Sequence, residues 1–347
     1  VIPVRTVVPS ERSFVLSADR DPNRTVLVLT LGGTIAMTRT AAASGVTPTL
    51  TGSDLVGAVP GLRDAAEVTV EDFRQMPGAS LAFSDIVSLV DRLKQADREG
   101  VDGVVVTQGT DTLEETAFLT GLYYQGPTPV VFTGAMRNAA TAGADGPANL
   151  LAAVQTAVSA EARGTGVLVV LGDEIHAARH VRKMHTTSPA AFESPNTGPL
   201  GHVAEGTARL RGSLSPIAPV PLPVGALPQV EIVTASLGSS GTLLPGLANE
   251  VSGLVVAAFG AGHVPETWCR PLEALASTMP VILASRIGTG PVLTSTYAFP
   301  GSESDLLARG LISAGNLDPY KARLLLAALL AAGTPRPDIA KAFLDHS

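Results

Sequence analysis

The 347-residue sequence predicts an α/β protein of two domains, a larger N-terminal doubly wound parallel sheet and a smaller C-terminal parallel α/β domain, joined by a Pro-rich linker. Three observations lead there. Short β-branched and aliphatic runs alternate with stretches of helical periodicity, the pattern of strand-crossover-strand units. The chain is 45% hydrophobic but only 4% aromatic, so Ala, Val and Leu build its interior, as in sheets buried on both faces. Prolines at 216, 219, 221, 223 and 228 interrupt the alternation, because neither a helix interior nor a central strand continues through them. The division that follows is 1–212, 213–229 and 230–347, and this length exceeds a usual single core.

Residues 1–25 read as an irregular or edge-pairing arm. The first strand is Val26-Leu27-Val28-Leu29-Thr30-Leu31. Met37 to Thr51, rich in Thr, Ala, Ser and Gly, is too poor in apolar residues to pack firmly and is expected to move as a lid. Ile86, Leu89, Val90 and Leu93 share one helical face, and Gly100 marks a stop. Val101 to Val106 is a second buried strand. Thr112 followed by Glu115 reads as a capping box opening a helix with Ala117, Phe118, Gly121 and Leu122. Strands follow at 129–134 and 167–171, with a helix from Pro147 through Leu150, Leu151, Val154 and Val158 between them. Beyond the linker, 230–233, 254–258 and 281–284 form a second set of parallel strands, and 319–332 and 337–344 are terminal helices.

A formal charge of −7 with no basic run or stripe excludes a nucleic-acid footprint. Cys269 is the only cysteine, so no intrachain disulfide forms, and it reads as a buried structural residue. Charged residues from Arg5 to Arg24 interrupt every apolar run of the arm, leaving no signal-peptide core and no membrane span. The expected location is cytoplasmic, unless the chain begins after a processed leader.

Two turns carry the chemistry. The first strand ends in Gly32-Gly33-Thr34-Ile35-Ala36, where paired glycines permit a sharp turn and deliver the Thr34 hydroxyl to the sheet edge. The second ends in Thr107-Gln108-Gly109-Thr110-Asp111-Thr112-Leu113-Glu114-Glu115-Thr116. Open α/β sheets bind ligands at such carboxyl ends. Taken alone, Thr110 and Asp111 also suit plain helix capping.

Together these stretches resemble the two signatures of the bacterial-type L-asparaginase and glutaminase-asparaginase family. The resemblance continues through Gly134-Ala135-Met136-Arg137, Ala144-Asp145-Gly146-Pro147, Asn196-Thr197-Gly198-Pro199-Leu200-Gly201 and Leu317-Asp318-Pro319-Tyr320-Lys321-Ala322-Arg323. It implies hydrolysis of L-asparagine to L-aspartate and ammonia. It makes Thr34 the nucleophile that forms an acyl-enzyme, Thr110 the second catalytic threonine, Asp111 its acidic neighbour and Lys183 the catalytic lysine. Splitting amide hydrolysis into acylation and deacylation eases attack on a poor electrophile, provided a base takes the hydroxyl proton and donors hold the oxyanion. A carboxylate such as that of Asp111 also accepts hydrogen bonds from a substrate ammonium. Substrate contacts are expected from Gly78, Ala79, Ser80, Thr110, Asp111, Ala135 and His263. The family likeness further implies a homodimer or homotetramer with active sites near subunit interfaces.

The sequence departs from the family pattern in two places. No tyrosine lies between Thr34 and Thr110 to contact the nucleophile, which leaves Tyr297 or Glu303 as weak substitutes. Gly78 and Ala79 stand where the family binds the substrate carboxylate with a serine and a polar residue, so backbone N–H groups and Ser80 remain for that task. His263, where glutaminase-type relatives often carry asparagine, reads equally as a loop histidine or a substrate contact. His176 and His180, spaced i, i+4 as on one helix face, with Glu174 and His185 nearby, raise a metal site, but no His-Glu-x-x-His motif completes it. The nucleotide-binding glycine patterns are also missing, and no metal or other cofactor is expected. The competing functions are a broader amidase with glutaminase activity and a catalytically weakened amino-acid-binding or regulatory homologue.

Overall fold

The computed structural model describes residues 23–32, 37–39, 46–48, 52–212 and 217–346. Thr34 and most of the arm lie outside the described residues. In chain order the first elements are β1 (Thr25–Thr30), β2 (Met37–Arg39), β3 (Val46–Pro48), α1 (Gly52–Gly57), α2 (Leu62–Ala65) and β4 (Glu67–Asp72). Then come α3 (Phe83–Glu99), β5 (Gly103–Thr107), α4 (Leu113–Tyr123), β6 (Val130–Thr133), α5 (Gly146–Ala157) and β7 (Val167–Leu171). Five short strands follow: β8 (Glu174–Ala177), β9 (Arg182–Lys183), β10 (Phe192–Glu193), β11 (Gly201–Ala204) and β12 (Thr207–Leu210). The C-terminal elements are β13 (Val230–Thr234), β14 (Gly253–Ala258), α6 (Cys269–Thr278), β15 (Val281–Ser285), α7 (Glu303–Ala308), β16 (Ile312–Ser313), α8 (Pro319–Ala331) and α9 (Arg336–His346).

The large sheet runs β12-β11-β8-β7-β6-β5-β1-β4. Strands β7 to β4 in that order are mutually parallel, and β8, β11 and β12 add an antiparallel extension at one edge that the strand-helix alternation does not predict. Alternate residues face opposite layers. Leu27, Leu29, Val104, Val106 and Phe132 join the apolar layer under α3 and α4, whereas Val26, Val28, Val105 and Val131 join the layer with α5. The second sheet, β13-β14-β15-β16, is wholly parallel. Helix α8 packs against both α4 and β14, so one apolar cluster runs from Val104 and Phe118 to Leu325 and Val255.

Helix α3 closes on Gly100 in the left-handed region, φ 76°, and Pro147 sits in the first turn of α5, both as the sequence predicts. The capping box does not form. Thr112 is the N-cap residue of α4, but its Oγ1 donates to Gly78 O at 3.0 Å and accepts from Gln108 Nε2 at 3.0 Å instead. In the segment read as a lid, β2 and β3 pair as an antiparallel hairpin, with its connecting residues outside the described ones. Residues 217–229 of the Pro-rich stretch contain no helix or strand, and Val220 N–H donates to Leu122 O at 2.9 Å.

Candidate active site

Between β1 and β5 the strand order reverses, because β4 lies on one side of β1 and β5 on the other. That switch point opens a crevice at the carboxyl ends of the strands. Leu31 N–H donates to Thr107 O at 2.9 Å there, which fixes the end of β1 beside the end of β5. Gly32 has φ +92°, and a Cβ on it would stand 2.7 Å from Met76 O, so only glycine passes.

The turn after β5 is rigid. Gln108 is buried, and it uses its N–H on Thr133 O at 3.0 Å and its Nε2 on the Thr112 and Thr116 hydroxyls, each at 3.0 Å. Gly134 lies so close that a Cβ would meet Gln108 O at 2.6 Å and Thr110 Cγ2 at 3.2 Å. Asn149 holds Gly134 O at 2.9 Å and accepts from Gly172 N–H at 3.0 Å, tying the loops after β6 and β7 together. Asp145 accepts from the N–H groups of Met136 and Arg137, which shapes the loop holding the buried Ala135.

On this base Thr110 is buried and Asp111 exposed. Lys183 arrives from β9, whose partner is the equally short β10. Its Nζ donates to Thr110 Oγ1 at 2.9 Å and to Asp111 Oδ1 at 2.7 Å. A surface depression of about 310 Å³ is lined by Asp111, Lys183, Met184, His185 and Thr186. A hydroxyl, an ammonium and a carboxylate in contact beside an open depression can bind a polar substrate and shuttle a proton. Gly78 is brought against this turn: a Cβ there would meet Thr112 Oγ1 at 3.0 Å and Gly109 O at 3.3 Å. Ala79 and Ser80 follow it, exposed, in the same single turn of 3₁₀ helix.

Sequence reasoning missed the charges behind this group. Glu114 is buried and accepts from Lys183 N–H, and burial pushes its carboxyl up, opposed by the positive charge of Lys321. Lys321, also buried, donates its Nζ to Val181 O and lies 3.5 Å from Asp318 Oδ2. Burial pushes its ammonium down, while Asp318 and Glu114 push it back. Both residues sit inside stretches quoted for the resemblance, and the available signal was a charged residue at an apolar helical position.

His263 engages its own unit. Its Nε2 is 3.2 Å from Glu303 Oε2, and its ring meets Tyr297 and Phe299 edge-on at 4.9 and 5.1 Å. Among the described residues nothing joins His263 to Thr110, Asp111 or Lys183 of the same chain. Glu303 is buried and also accepts from the N–H groups of Thr296 and Tyr297. The histidines weighed for a metal are not on one helix face: His176 lies on β8, fully buried, with Nδ1 3.0 Å from Ser194 Oγ. No group of three or more His, Cys, Asp or Glu suited to a metal occurs among the described residues. Cys269 is buried, with its Sγ 3.6 Å from Asp305 Oδ2. Among the described residues no helix is long and apolar enough to cross a membrane.

Comparison with known proteins agrees with this geometry. Residues 25–215 match the family model "Asparaginase, N-terminal" and residues 229–343 match "Glutaminase/Asparaginase C-terminal domain". The chain is 38% identical over 315 residues to a probable L-asparaginase of Deinococcus radiodurans, covering 90% of this chain and 94% of that one. It is 32% identical to a glutaminase-asparaginase of Pseudomonas fluorescens biotype A, over 92% of this chain and 90% of that one. The crystal structure of a probable cytoplasmic L-asparaginase from Campylobacter jejuni superposes with a TM-score of 0.84 at 32% identity, covering 93% of this chain and all of the other. With two family models spanning the eight-stranded and the four-stranded sheets and relatives alike over nearly their whole length, this chain belongs to the asparaginase family.

Proposed function

We propose that the protein is an L-asparaginase, hydrolysing L-asparagine to L-aspartate and ammonia through a threonine acyl-enzyme. The observation that carries the reading is the contact of Lys183 Nζ with both Thr110 Oγ1 and Asp111 Oδ1 at the strand-order reversal. In this reading Thr34 attacks the amide carbon, the Thr110 and Lys183 pair takes up its proton and delivers one to the amide nitrogen, and the C–N bond breaks to release ammonia and leave the Thr34 ester. The covalent ester is then cleaved by water activated the same way. Asp111 holds the ammonium of Lys183 and has a second oxygen for the substrate α-ammonium group. Gly78, Ala79 and Ser80 receive the substrate carboxylate, and Ala135 walls the pocket. Support also comes from the names of the relatives.

The exposed Tyr297 and Phe299 beside His263 support an assembly, a homodimer or homotetramer, in which this face meets a second copy near its active site. The named location of the Campylobacter protein supports a cytoplasmic enzyme. The division into residues 1–212, 213–229 and 230–347 is part of the same reading, supported by the separate sheets.

Ammonia release from asparagine and from glutamine by the purified protein tests it. Turnover of asparagine that vanishes in Thr34→Ala and in Thr110→Ala is expected. Comparable glutamine turnover moves the reading to a broader amidase, and aspartate binding with no turnover moves it to an amino-acid sensor.

A further inference from the structure

Lys183 sits on a strand too short to hold itself. Strand β9 is Arg182–Lys183, paired only with the two residues of β10. Its side chain has four rotatable bonds, so the reach of Nζ to Thr110 depends on where the backbone is fixed. Two buried side chains fix it from opposite sides of Arg182. Lys321 Nζ donates to Val181 O, and Glu114 Oε2 accepts from Lys183 N–H. Val181 is fully buried, so its carbonyl needs a donor from within the protein.

The two groups come from different places. Glu114 stands in the first turn of α4, four residues after Thr110, so the helix that begins at the catalytic turn also grips the lysine strand. Lys321 stands in the first turn of α8, where Asp318 caps the helix by accepting from Tyr320 N–H and Lys321 N–H at 2.9 and 3.1 Å. Asp318 Oδ2 also lies 3.5 Å from Lys321 Nζ and 3.9 Å from Arg182 Nε. The carboxylates of Asp318 and Glu114 thus balance a cation buried with 1% of its surface exposed.

We propose that Lys321 and Glu114 are positioning residues for amide hydrolysis, a buried charged clamp on residues 181–183 through which the C-terminal unit sets the reach of Lys183 to Thr110. The proposal rests on the asparaginase reading above. It concerns residues that touch neither substrate nor reacting atoms. Their effect falls on the catalytic step, because a displaced Lys183 Nζ leaves the turn at 78–80 and its substrate contacts in place.

The test uses the full chain, its Lys321→Met and Glu114→Met variants, steady-state ammonia release, and backbone amide exchange over residues 181–184 by mass spectrometry. Each variant is assayed well below its own melting midpoint. In both, kcat is expected to fall at least ~10-fold while KM stays within about twofold, since an ångström-scale misplacement is enough for ~10²-fold. Exchange across 181–184 accelerates in both. A folded Lys321→Met with parental kcat overturns the proposal, as does unchanged exchange. If Lys321→Met does not fold, Glu114→Met decides by the same two measures. A parent that releases no ammonia overturns the asparaginase reading and the catalytic consequence with it, while exchange still decides whether the clamp exists.

Discussion

Lys183 Nζ donates to Thr110 Oγ1 across 2.9 Å, although 73 residues separate the two in sequence. The pair joins the end of β5 to a two-residue strand beyond β8. Removing the amine while keeping the stem isolates its chemistry. Lys183→Met is expected to lower kcat for asparagine by ~10²- to 10⁴-fold, the usual span for loss of a positioned proton-transfer group. Its partner Asp111 is largely exposed, so the melting temperature moves little. Steady-state kinetics beside a thermal melt check both halves.

Thr112→Val separates recognition from chemistry. The hydroxyl bridges Gly78 O and Gln108 Nε2, and it contacts neither Lys183 nor Asp111. Valine fills the same volume but leaves the Gly78 carbonyl without its donor, at a cost of about 1–3 kcal/mol for a buried group. The turn at 78–80 loosens, so KM for asparagine rises several-fold while kcat changes less. A variant with unchanged KM removes these residues from substrate binding.

How much of this was legible follows from what each signal measures. Buried parallel strands such as Val104-Val105-Val106 declare themselves by composition, and Gly100 and Pro147 by the backbone they require. Strands β8 to β12 are two to four residues long, too short for periodicity, so the antiparallel edge and the place of Lys183 on β9 went unread. The capping-box reading failed because Thr112 has better partners in the Gly78 turn, a tertiary contact outside any local window. His176 and His180 looked like one helix face only under an assumed helix, whereas His176 points from a strand into the core. For Glu114 and Lys321 the letters were visible and the burial was not.

Gly134→Ala tests how closely the catalytic turn is packed. The added methyl would stand 2.6 Å from Gln108 O, a backbone atom that cannot rotate away, and 3.2 Å from Thr110 Cγ2. Relief requires shifting the turn that carries Thr110. The variant is expected to lose about 1–3 kcal/mol of stability and ~10- to 100-fold in kcat/KM. Gly57→Ala, where an added Cβ meets nothing within 4 Å, serves as the control and keeps parental activity.

Acid sensitivity follows from three histidines the mechanism does not use. Burial pushes the imidazoles of His176, His180 and His346 down to about 4, from an ordinary 6.5. The unfolded chain therefore binds protons that the folded one refuses, and stability falls as pH drops from 6.5 toward 4, with no further loss below. Glu114 and Glu115, whose carboxyls burial pushes up, act with the opposite sign near the low end and offset part of the loss. His346 isolates one contribution, because its ring is buried and meets Phe118 edge-on at 6.3 Å, a place phenylalanine can fill. His346→Phe removes a penalty of at most about 2 kcal/mol at pH 5. In a protein this size that narrows the gap between melting temperatures at pH 7 and pH 5 by a few degrees. Parallel melts of parent and variant across that range check it, and an unchanged gap means that His346 takes up its proton in the folded state as readily as in the unfolded one.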